Sequence, residues 1–145
     1  MDHRGGGECL DLIQVGDRVT TTKTVSESDV YLFAGITGDL HANHVNEEYM
    51  SKGRFGSRIA HGALLVGLMS AASTAFLNKH DLDAVSLGYD KIRFLAPVFF
   101  GDTVTVDYTV ASKDEDRSRS LASIEARNQR DQLVAMATHV MKYVR

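Results

Sequence analysis

Residues 37–76 read TGDLHANHVNEEYMSKGRFGSRIAHGALLVGLMSAASTAF, and this stretch decides the fold. It opens with a short polar loop that contains Asp39, His41 and His44. It ends in a predicted helix that runs from about residue 59 to about residue 77. That helix is apolar on nearly every side, which is typical of a helix buried by the rest of its own chain. The sequence therefore predicts a central helix preceded by a loop rich in titratable side chains.

The residues that follow the central helix predict β-strands. The clearest signal lies in residues 103–111, where apolar and polar side chains alternate. Further strands are expected over residues 84–95, 119–128 and 133–144. On the last of these, the expected apolar face consists of Val134, Met136, Val140 and Val144.

The residues before the polar loop predict a strand and a capped helix. Residues 18–25 are rich in Thr and Val, which favours an edge strand. Ser26 and Asp29 fit a capping box, and Gly38 is well placed to end the helix that they begin. Together these elements predict an α+β fold, in which one antiparallel sheet wraps around one long central helix.

Length and composition bound the class of protein. The chain has 145 residues, so we expect one domain over residues 14–145 and a flexible N-terminal arm over residues 1–13. The net charge of -3 gives no electrostatic reason to expect nucleic acid or an anionic membrane as a partner. The single cysteine, Cys9, excludes an intramolecular disulfide, and no apolar signal segment occurs near the start of the chain. We therefore expect a cytoplasmic protein.

One segment is long enough to raise the question of a membrane span. No charged side chain occurs between Arg58 and Lys79. The segment nevertheless contains His61, Asn78 and several Ser and Gly residues, which favours a helix buried in protein. We expect no membrane span.

Asp39 and His44 lie five residues apart in the polar loop. A carboxylate and an imidazole on one water molecule can share its protons, one accepting while the other orients or donates. A structural interpretation stays open, in which Asp39 caps a backbone turn and His44 is a surface residue. We expect no metal ion and no cofactor at these residues.

Gly62 lies in the first turn of the predicted central helix, where glycine weakens a helix by about 1 kcal/mol relative to alanine. Its missing side chain leaves the free N–H groups at the positive end of the helix dipole open to a ligand. A carbonyl oxygen bound there would be stabilised as it gains negative charge, as in an oxyanion hole. Close packing of the helix against a sheet explains the same glycine equally well.

Several segments resemble the MaoC-like (R)-specific enoyl-CoA hydratases, which have the hotdog fold. GDLHANH, residues 38–44, resembles the family pattern of an Asp, then Asn-Pro, then a His five residues after the Asp. FGSRIAHG, residues 55–62, resembles the family's FGxxIAHG. VSESDVYLFAGITGD, residues 25–39, and SLGYDKIRFLAPVFFGDTV, residues 86–104, resemble its entry helix and a later strand. The resemblance covers most of the chain beyond about residue 14.

The resemblance implies a lyase of fatty acid metabolism that hydrates trans-2-enoyl-CoA to (R)-3-hydroxyacyl-CoA, and that runs in reverse as a dehydratase. It implies that Asp39 and His44 activate the water and that the Gly62 amide holds the thioester oxygen. Motif residues expected at the substrate are Phe55, Ile59, Ala60 and His61, and the candidates for the wall of the acyl pocket are Val66, Ser70 and Ser73. The chain departs from the family at His41-Ala42, where Asn-Pro is usual. His41 either replaces the lost anchoring of the loop or enters the pocket.

The resemblance also implies partners. The substrate carrier is coenzyme A or an acyl-carrier protein, and its phosphates could meet Lys52, Arg54, Arg58, Lys91 and Arg93. Hotdog domains generally pair through their sheets, so we expect a homodimer or a higher homo-oligomer with the site at the subunit boundary. Two alternatives stay open: a hotdog acyl-CoA thioesterase, and a non-catalytic hotdog subunit that binds acyl thioesters.

Overall fold

The computed structural model describes residues 5–144. Its helices are α1 (Gly6–Asp11), α2 (Glu27–Thr37), α3 (Ala42–Val45), α4 (Glu47–Ser51) and α5 (Gly62–His80). Its strands are β1 (Arg18–Thr24), β2 (Ala84–Phe94), β3 (Thr103–Asp114), β4 (Arg119–Arg127) and β5 (Leu133–Tyr143). The strands form one antiparallel sheet in the order β1-β3-β4-β5-β2. The predicted α+β architecture is confirmed.

Helix α5 packs against the inner face of this sheet and supplies the centre of the core. Its buried side chains are Leu65, Met69, Ala72, Ser73 and Phe76. Facing them on β3 are the buried alternate residues Val104, Val106, Tyr108 and Val110, as the alternation in sequence predicted. No helix among the described residues is long and apolar enough to cross a membrane.

Helix α5 begins at Gly62, three residues later than the sequence predicted. Residues 59–61 are extended instead, because their backbone pairs with the segment that joins β2 to β3. Ile59 forms an antiparallel bridge with Phe99, and the Ala60 N–H donates to the Val98 carbonyl at 2.8 Å. Gly62 is therefore the first helical residue, where its amide has no carbonyl within the helix to bond.

The caps of α2 form as predicted and place Asp39. The Ser26 hydroxyl accepts from the Asp29 N–H at 3.1 Å, and the Asp29 carboxylate accepts from the Ser26 N–H at 2.9 Å. At the other end Gly38 adopts φ +79°, a left-handed conformation that glycine reaches without strain. Asp39 is the next residue in the chain, so the capped C-terminal end of α2 fixes its position.

Residues 5–13 differ from the expected flexible arm. They include helix α1, and Cys9, Leu10 and Ile13 are buried in the core. The Lys113 ammonium donates to the carbonyls of Leu10 at 2.7 Å and Ile13 at 3.1 Å, which satisfies the end of the helix. Burial of these apolar side chains orders the segment. Residues 1–4 of the expected arm lie outside the described residues.

The prediction of which face of β5 is buried was wrong beyond Val134, which is itself fully buried. The inward side chains are Ala135, Ala137, His139, Met141 and Tyr143. Met136 and Val144, from the predicted apolar face, are 39% and 49% exposed. Both faces of this strand carry apolar residues, and the polar His139 is satisfied inside by two hydroxyl groups, so hydropathy alone indicated the opposite face.

Candidate active site

The polar loop between α2 and α4 is held by its own side chains. His41 is the N-cap of α3, and its Nδ1 accepts from the Asn43 N–H at 3.3 Å. The His41 N–H makes a long contact of 3.4 Å with Oδ1 of Asp39. Of the two roles predicted for His41, the anchoring role fits this placement: the side chain is exposed and caps the loop.

One backbone hydrogen bond fixes the tautomer of His44. Its Nδ1 lies 2.7 Å from the Ile59 carbonyl oxygen. A carbonyl can only accept, so Nδ1 carries the proton and Nε2 of the neutral ring keeps its lone pair. Partial burial is the main cause that lowers the pKa of His44, and it outweighs the bond to Ile59, which raises it. His44 is therefore a neutral imidazole with one nitrogen ready to accept a proton.

His61 supports both members of the pair. Its ring stacks on that of His44 with a centroid distance of 3.7 Å and an interplanar angle of 25°. Its Nε2–H donates to the Asp39 backbone carbonyl at 2.9 Å, and Phe33 packs on it at 4.8 Å between centroids. Only 1% of His61 is exposed, which leaves almost no surface for a substrate. The residue that the sequence assigned to the substrate is instead a buried platform under the pair.

The side chains of Asp39, His44 and His61 each place one oxygen or nitrogen within 4.8 Å of the other two. Two groups that bond the same water, each at about 2.8 Å and at a near-tetrahedral angle, lie about 4.6 Å apart. The limit of 4.8 Å therefore allows two of these groups to share one water. Three such groups can also bind a metal, but the rings of the two histidines are stacked, so their in-plane lone pairs lie in separate, nearly parallel planes rather than meeting at one point.

Gly62 opens α5 beside this pair. The α5 N-cap, His61, makes no side-chain capping bond, so no side chain competes for the first amides of the helix. A Cβ on Gly62 would lie 2.6 Å from Cε2 of Phe94, so any other residue here would require this ring to move. Phe94 is itself 52% exposed and covers the same helix end. Both earlier interpretations of Gly62, access to the amide and close packing, are thus compatible with this geometry.

A cavity of about 400 Å³ joins the helix end to His44. Its lining residues are His44, Arg54, Phe55, Ile59, Ala60, Gly62, Leu65, Phe94, Leu95, Ala96, Pro97 and Val98. Of the predicted substrate residues it brings together Phe55, Ile59 and Ala60. Val66, Ser70 and Ser73 are not among its lining residues, and the Ser73 hydroxyl donates to the Ser70 carbonyl at 2.7 Å. Sequence reasoning missed Leu65 and Phe94, although Phe94 lies in a segment that resembles the family.

The basic residues predicted to meet a carrier phosphate differ in whether their charge is already paired with a carboxylate. Arg58 is paired with Glu27 and Glu47 and is therefore not available for phosphate. Lys52 forms an exposed ion pair with Glu48. Arg54 lines the 400 Å³ cavity and also a neighbouring cavity of about 690 Å³, and is therefore the basic residue best placed to meet a ligand that spans the two.

The chain is similar to known proteins in sequence and in fold. The family model for the MaoC like domain matches residues 13–132. An (R)-specific enoyl-CoA hydratase of Rhodospirillum rubrum is 43% identical over 98 residues, which cover 68% of this chain and 66% of that protein. A 3-hydroxybutyryl-CoA dehydratase of Methylorubrum extorquens is 37% identical over 108 residues, which cover 74% of this chain and 67% of that protein. Among solved structures, the (R)-hydratase from A. caviae involved in PHA biosynthesis aligns with a TM-score of 0.83 at 26% identity, over 90% of this chain and 97% of that one. The matched segments thus span about two thirds of the two sequence relatives.

Proposed function

Because the chain belongs to the MaoC-like dehydratase family and has its hotdog fold, we propose that it is a hydro-lyase that adds water to trans-2-enoyl thioesters. The product is an (R)-3-hydroxyacyl thioester, and the reverse reaction is its dehydration. The proposal rests on one observation: Asp39 and His44 each place a polar atom within 4.8 Å of the other, close enough to share one water, next to the N-terminus of a 19-residue helix.

The tautomer of His44 supports its role as the base. Nε2 accepts a proton from the bound water while the Asp39 carboxylate accepts a hydrogen bond from the same water and orients it. The water oxygen then bonds to C3 of the substrate. The proton taken by the pair is delivered to C2, so both parts of one water reach the same face and the pair returns to its starting state.

The N-terminus of α5 stabilises the negative charge that develops on the substrate during the reaction. As the C3–O bond forms, electron density moves through the conjugated system onto the thioester oxygen. The Gly62 amide and the dipole of α5 stabilise that charge. Loss of a single donor of this kind typically costs about 10²- to 10³-fold in kcat.

The dimensions of the cavity favour short or medium acyl chains. The cavity of about 400 Å³ follows α5 only as far as Leu65, one turn beyond Gly62. Deeper along the helix, Met69 and Ala72 are fully buried against the sheet, so a long chain would have to displace core side chains.

The carrier is assigned to the second cavity. Arg54 and Phe55 line both cavities, so a thioester in the first would extend its carrier arm along them into the second. We expect a carrier phosphate to meet Arg54, whose guanidinium can bind phosphate through two parallel hydrogen bonds. The product and the substrate differ only in the acyl part, so the carrier phosphate of either one can bind Arg54.

A homodimer joined through β2 is the proposed assembly. Strand β2 is an edge of the sheet, and Val85, Leu87 and Phe94 along it are each about half exposed. An exposed apolar edge strand is a template for another strand. The opposite edge, β1, carries Thr and Lys side chains instead and pairs its threonines with those of β3. Light scattering of the purified protein tests the dimer.

Purified protein given crotonyl-CoA tests the reaction. We expect the ultraviolet absorbance of the enoyl thioester to fall with no release of free thiol, and a chiral separation to identify the (R)-3-hydroxy product. Thiol release would indicate the thioesterase instead. No change in either signal across several acyl lengths would contradict both enzymatic interpretations and favour the non-catalytic subunit.

A further inference from the structure

Arg58 is enclosed by side chains from three other segments. Its Nε donates to Oε2 of Glu47 at 2.6 Å, and its Nη1 donates to Oε1 of Glu27 at 2.6 Å and to the Tyr31 hydroxyl at 2.9 Å. The Phe100 ring lies 4.8 Å from the guanidinium carbon. Only 18% of the Arg58 side chain is exposed. The planar guanidinium can make this fork and stack at once, whereas the single ammonium of lysine cannot.

The partners of Arg58 frame the loop that carries the water-activating pair. Glu27 is in the first turn of α2, whose far end positions Asp39. Glu47 is in the first turn of α4, directly after the short helix of His44. The Tyr31 hydroxyl that accepts from Arg58 donates in turn to the carbonyl of Val45 at 3.0 Å. Arg58 therefore fixes its own backbone, and that of the next residue, relative to both ends of the loop that carries Asp39 and His44.

The next residue along the chain, Ile59, makes the direct contact with the loop. Its N–H donates to the Asn43 carbonyl at 3.0 Å. Its carbonyl accepts from Nδ1 of His44 at 2.7 Å, and this second bond sets the tautomer. A displaced Ile59 carbonyl would leave Nδ1 without its acceptor, so the proton could move to Nε2 and remove the lone pair that accepts from water.

We propose that Arg58 is a positioning residue, which holds the Ile59 carbonyl against the His44 ring and so keeps the lone pair on Nε2. Arg58 is not among the residues that line the 400 Å³ cavity, so it acts through Ile59 rather than on the substrate. The inference rests on the proposed function for its kinetic readout only, because the tautomer of His44 can be measured without turnover.

The kinetic test compares Arg58→Lys with wild type and with Arg117→Met. Arg117 is an exposed arginine that pairs with Asp114 in the turn between β3 and β4, and it is not among the residues that line the 400 Å³ cavity. We expect Arg58→Lys to lower kcat by roughly 10- to 100-fold with KM unchanged, because a small misplacement of a reacting group costs about this much. Arg117→Met should leave both constants unchanged.

Chemical rescue adds a readout that a loss of stability would not give. In Arg58→Ala, guanidinium chloride well below denaturing concentrations should restore part of kcat by filling the vacated site between the two glutamates. Methylammonium chloride at the same concentration should not, because it lacks the fork. A higher KM with unchanged kcat in Arg58→Lys would mean that Arg58 binds substrate, and would overturn the proposal.

The tautomer test uses nitrogen-15 NMR of the His44 ring at neutral pH. Wild type should show the proton on Nδ1, and Arg58→Lys should show a mixture or the Nε2–H form. Glu47→Gln removes one charged partner of Arg58 and keeps the arginine itself. It should therefore change the His44 tautomer less than Arg58→Lys does, and it replaces Arg58→Lys in this test if that variant does not fold. A wild-type tautomer in whichever of these variants folds would overturn the proposal. An enzyme inactive on every enoyl thioester, but with a tautomer that changes in Arg58→Lys, would reject the proposed hydratase function and keep the positioning role.

Discussion

A partly buried and a fully buried imidazole in this molecule use their nitrogens differently. His139, fully buried on β5, has both ring nitrogens bonded to hydroxyl groups, Nδ1 to Tyr108 at 2.9 Å and Nε2 to Ser86 at 2.8 Å. His44 bonds one nitrogen to the Ile59 carbonyl and turns the rest of its ring to a cavity. Burial lowers the pKa of both, so both are neutral near pH 7.

Neither burial, nor a lowered pKa, nor ring stacking therefore marks a catalytic histidine in this molecule. Tyr89 stacks on His139 at 4.5 Å much as His61 stacks on His44 at 3.7 Å. The distinguishing feature is the second nitrogen. Where both are bonded, as in His139, the imidazole holds a core together. Where one is bonded and the other is free in a ring that lines a cavity, as in His44, the ring is fixed in a reactive tautomer. His61 also has a nitrogen, Nδ1, without a partner among the described residues, but that atom is buried and the ring does not line the cavity.

The largest effect is expected where the free nitrogen is removed. His44→Ala should lower the hydration rate by about 10²- to 10⁴-fold, the range for loss of a general acid or base. Asp39→Asn should also lower it, because a neutral amide accepts the hydrogen bond from the water more weakly than a carboxylate and orients it less firmly. The rates are measured with crotonyl-CoA, and circular dichroism checks that both variants stay folded. A near-normal rate in either variant would remove that residue from the mechanism.

The oxyanion half of the site is tested by Gly62→Ala alone and combined with Phe94→Ala. The single change should lower kcat by about 10²- to 10³-fold, because the new methyl group keeps the thioester oxygen from the amide. It also meets the Phe94 ring, at 2.6 Å from Cε2. Phe94→Ala removes that contact but leaves the methyl group beside the amide.

The double variant separates the two interpretations of Gly62. If the amide binds the thioester oxygen, the double variant should stay as slow as Gly62→Ala. Activity equal to that of Phe94→Ala alone would mean that glycine is needed only for packing against the ring. A double-mutant cycle gives the coupling directly, since the two residues touch.

A smaller, pH-dependent effect is expected at the structural histidine. Burial lowers the pKa of His139 to about 4. The unfolded chain takes up this proton near pH 6.5 and the folded chain only near pH 4, so between these values the unfolded state binds more protons. The free energy of unfolding should therefore fall by about 3 kcal/mol as the pH drops across this window.

His139→Gln provides the matched control, since glutamine cannot titrate. Urea unfolding at about pH 7.5 and about pH 4.5 should show a smaller fall for the variant than for wild type, with the carboxyl groups contributing equally to both. The kcat of the folded variant at neutral pH should equal that of wild type. An identical pH dependence in the two proteins would show that His139 charges in the folded state, against the comparison with His44.

Local signals in the sequence predicted most of the fold and the chemical groups of the site. The caps at Ser26 and Gly38 and the alternation along β3 act between near neighbours, so their residue types are sufficient. Helix α1 was missed because tertiary burial of Leu10 stabilises it, and because its local cap, the Glu8 carboxylate on the Gly5 N–H, lies in a glycine run that favours a loop. The platform formed by His61 was missed for the same kind of reason, since its partner Asp39 lies 22 residues away.

The smallest effect is expected at Ala42, where the loop of His44 departs from the family pattern. Ala42 is the first residue of α3, a position where proline loses no intrahelical hydrogen bond. The preceding residue, His41, has φ -59° and ψ 144°, which a following proline tolerates. Ala42→Pro should therefore raise the free energy of unfolding by about 0.4–1 kcal/mol, because it restricts the unfolded chain.

The same substitution tests how the loop holds its catalytic ring. Because His41 already caps α3 and Ile59 fixes His44, stiffening Ala42 should leave kcat unchanged. Urea denaturation and crotonyl-CoA hydration of the same preparation measure both quantities. A higher kcat in Ala42→Pro would mean that the loop of this chain holds His44 too loosely, and that its tautomer bond alone is not enough to fix the ring. A lower stability would mean that the Ala42 amide has a partner that proline removes.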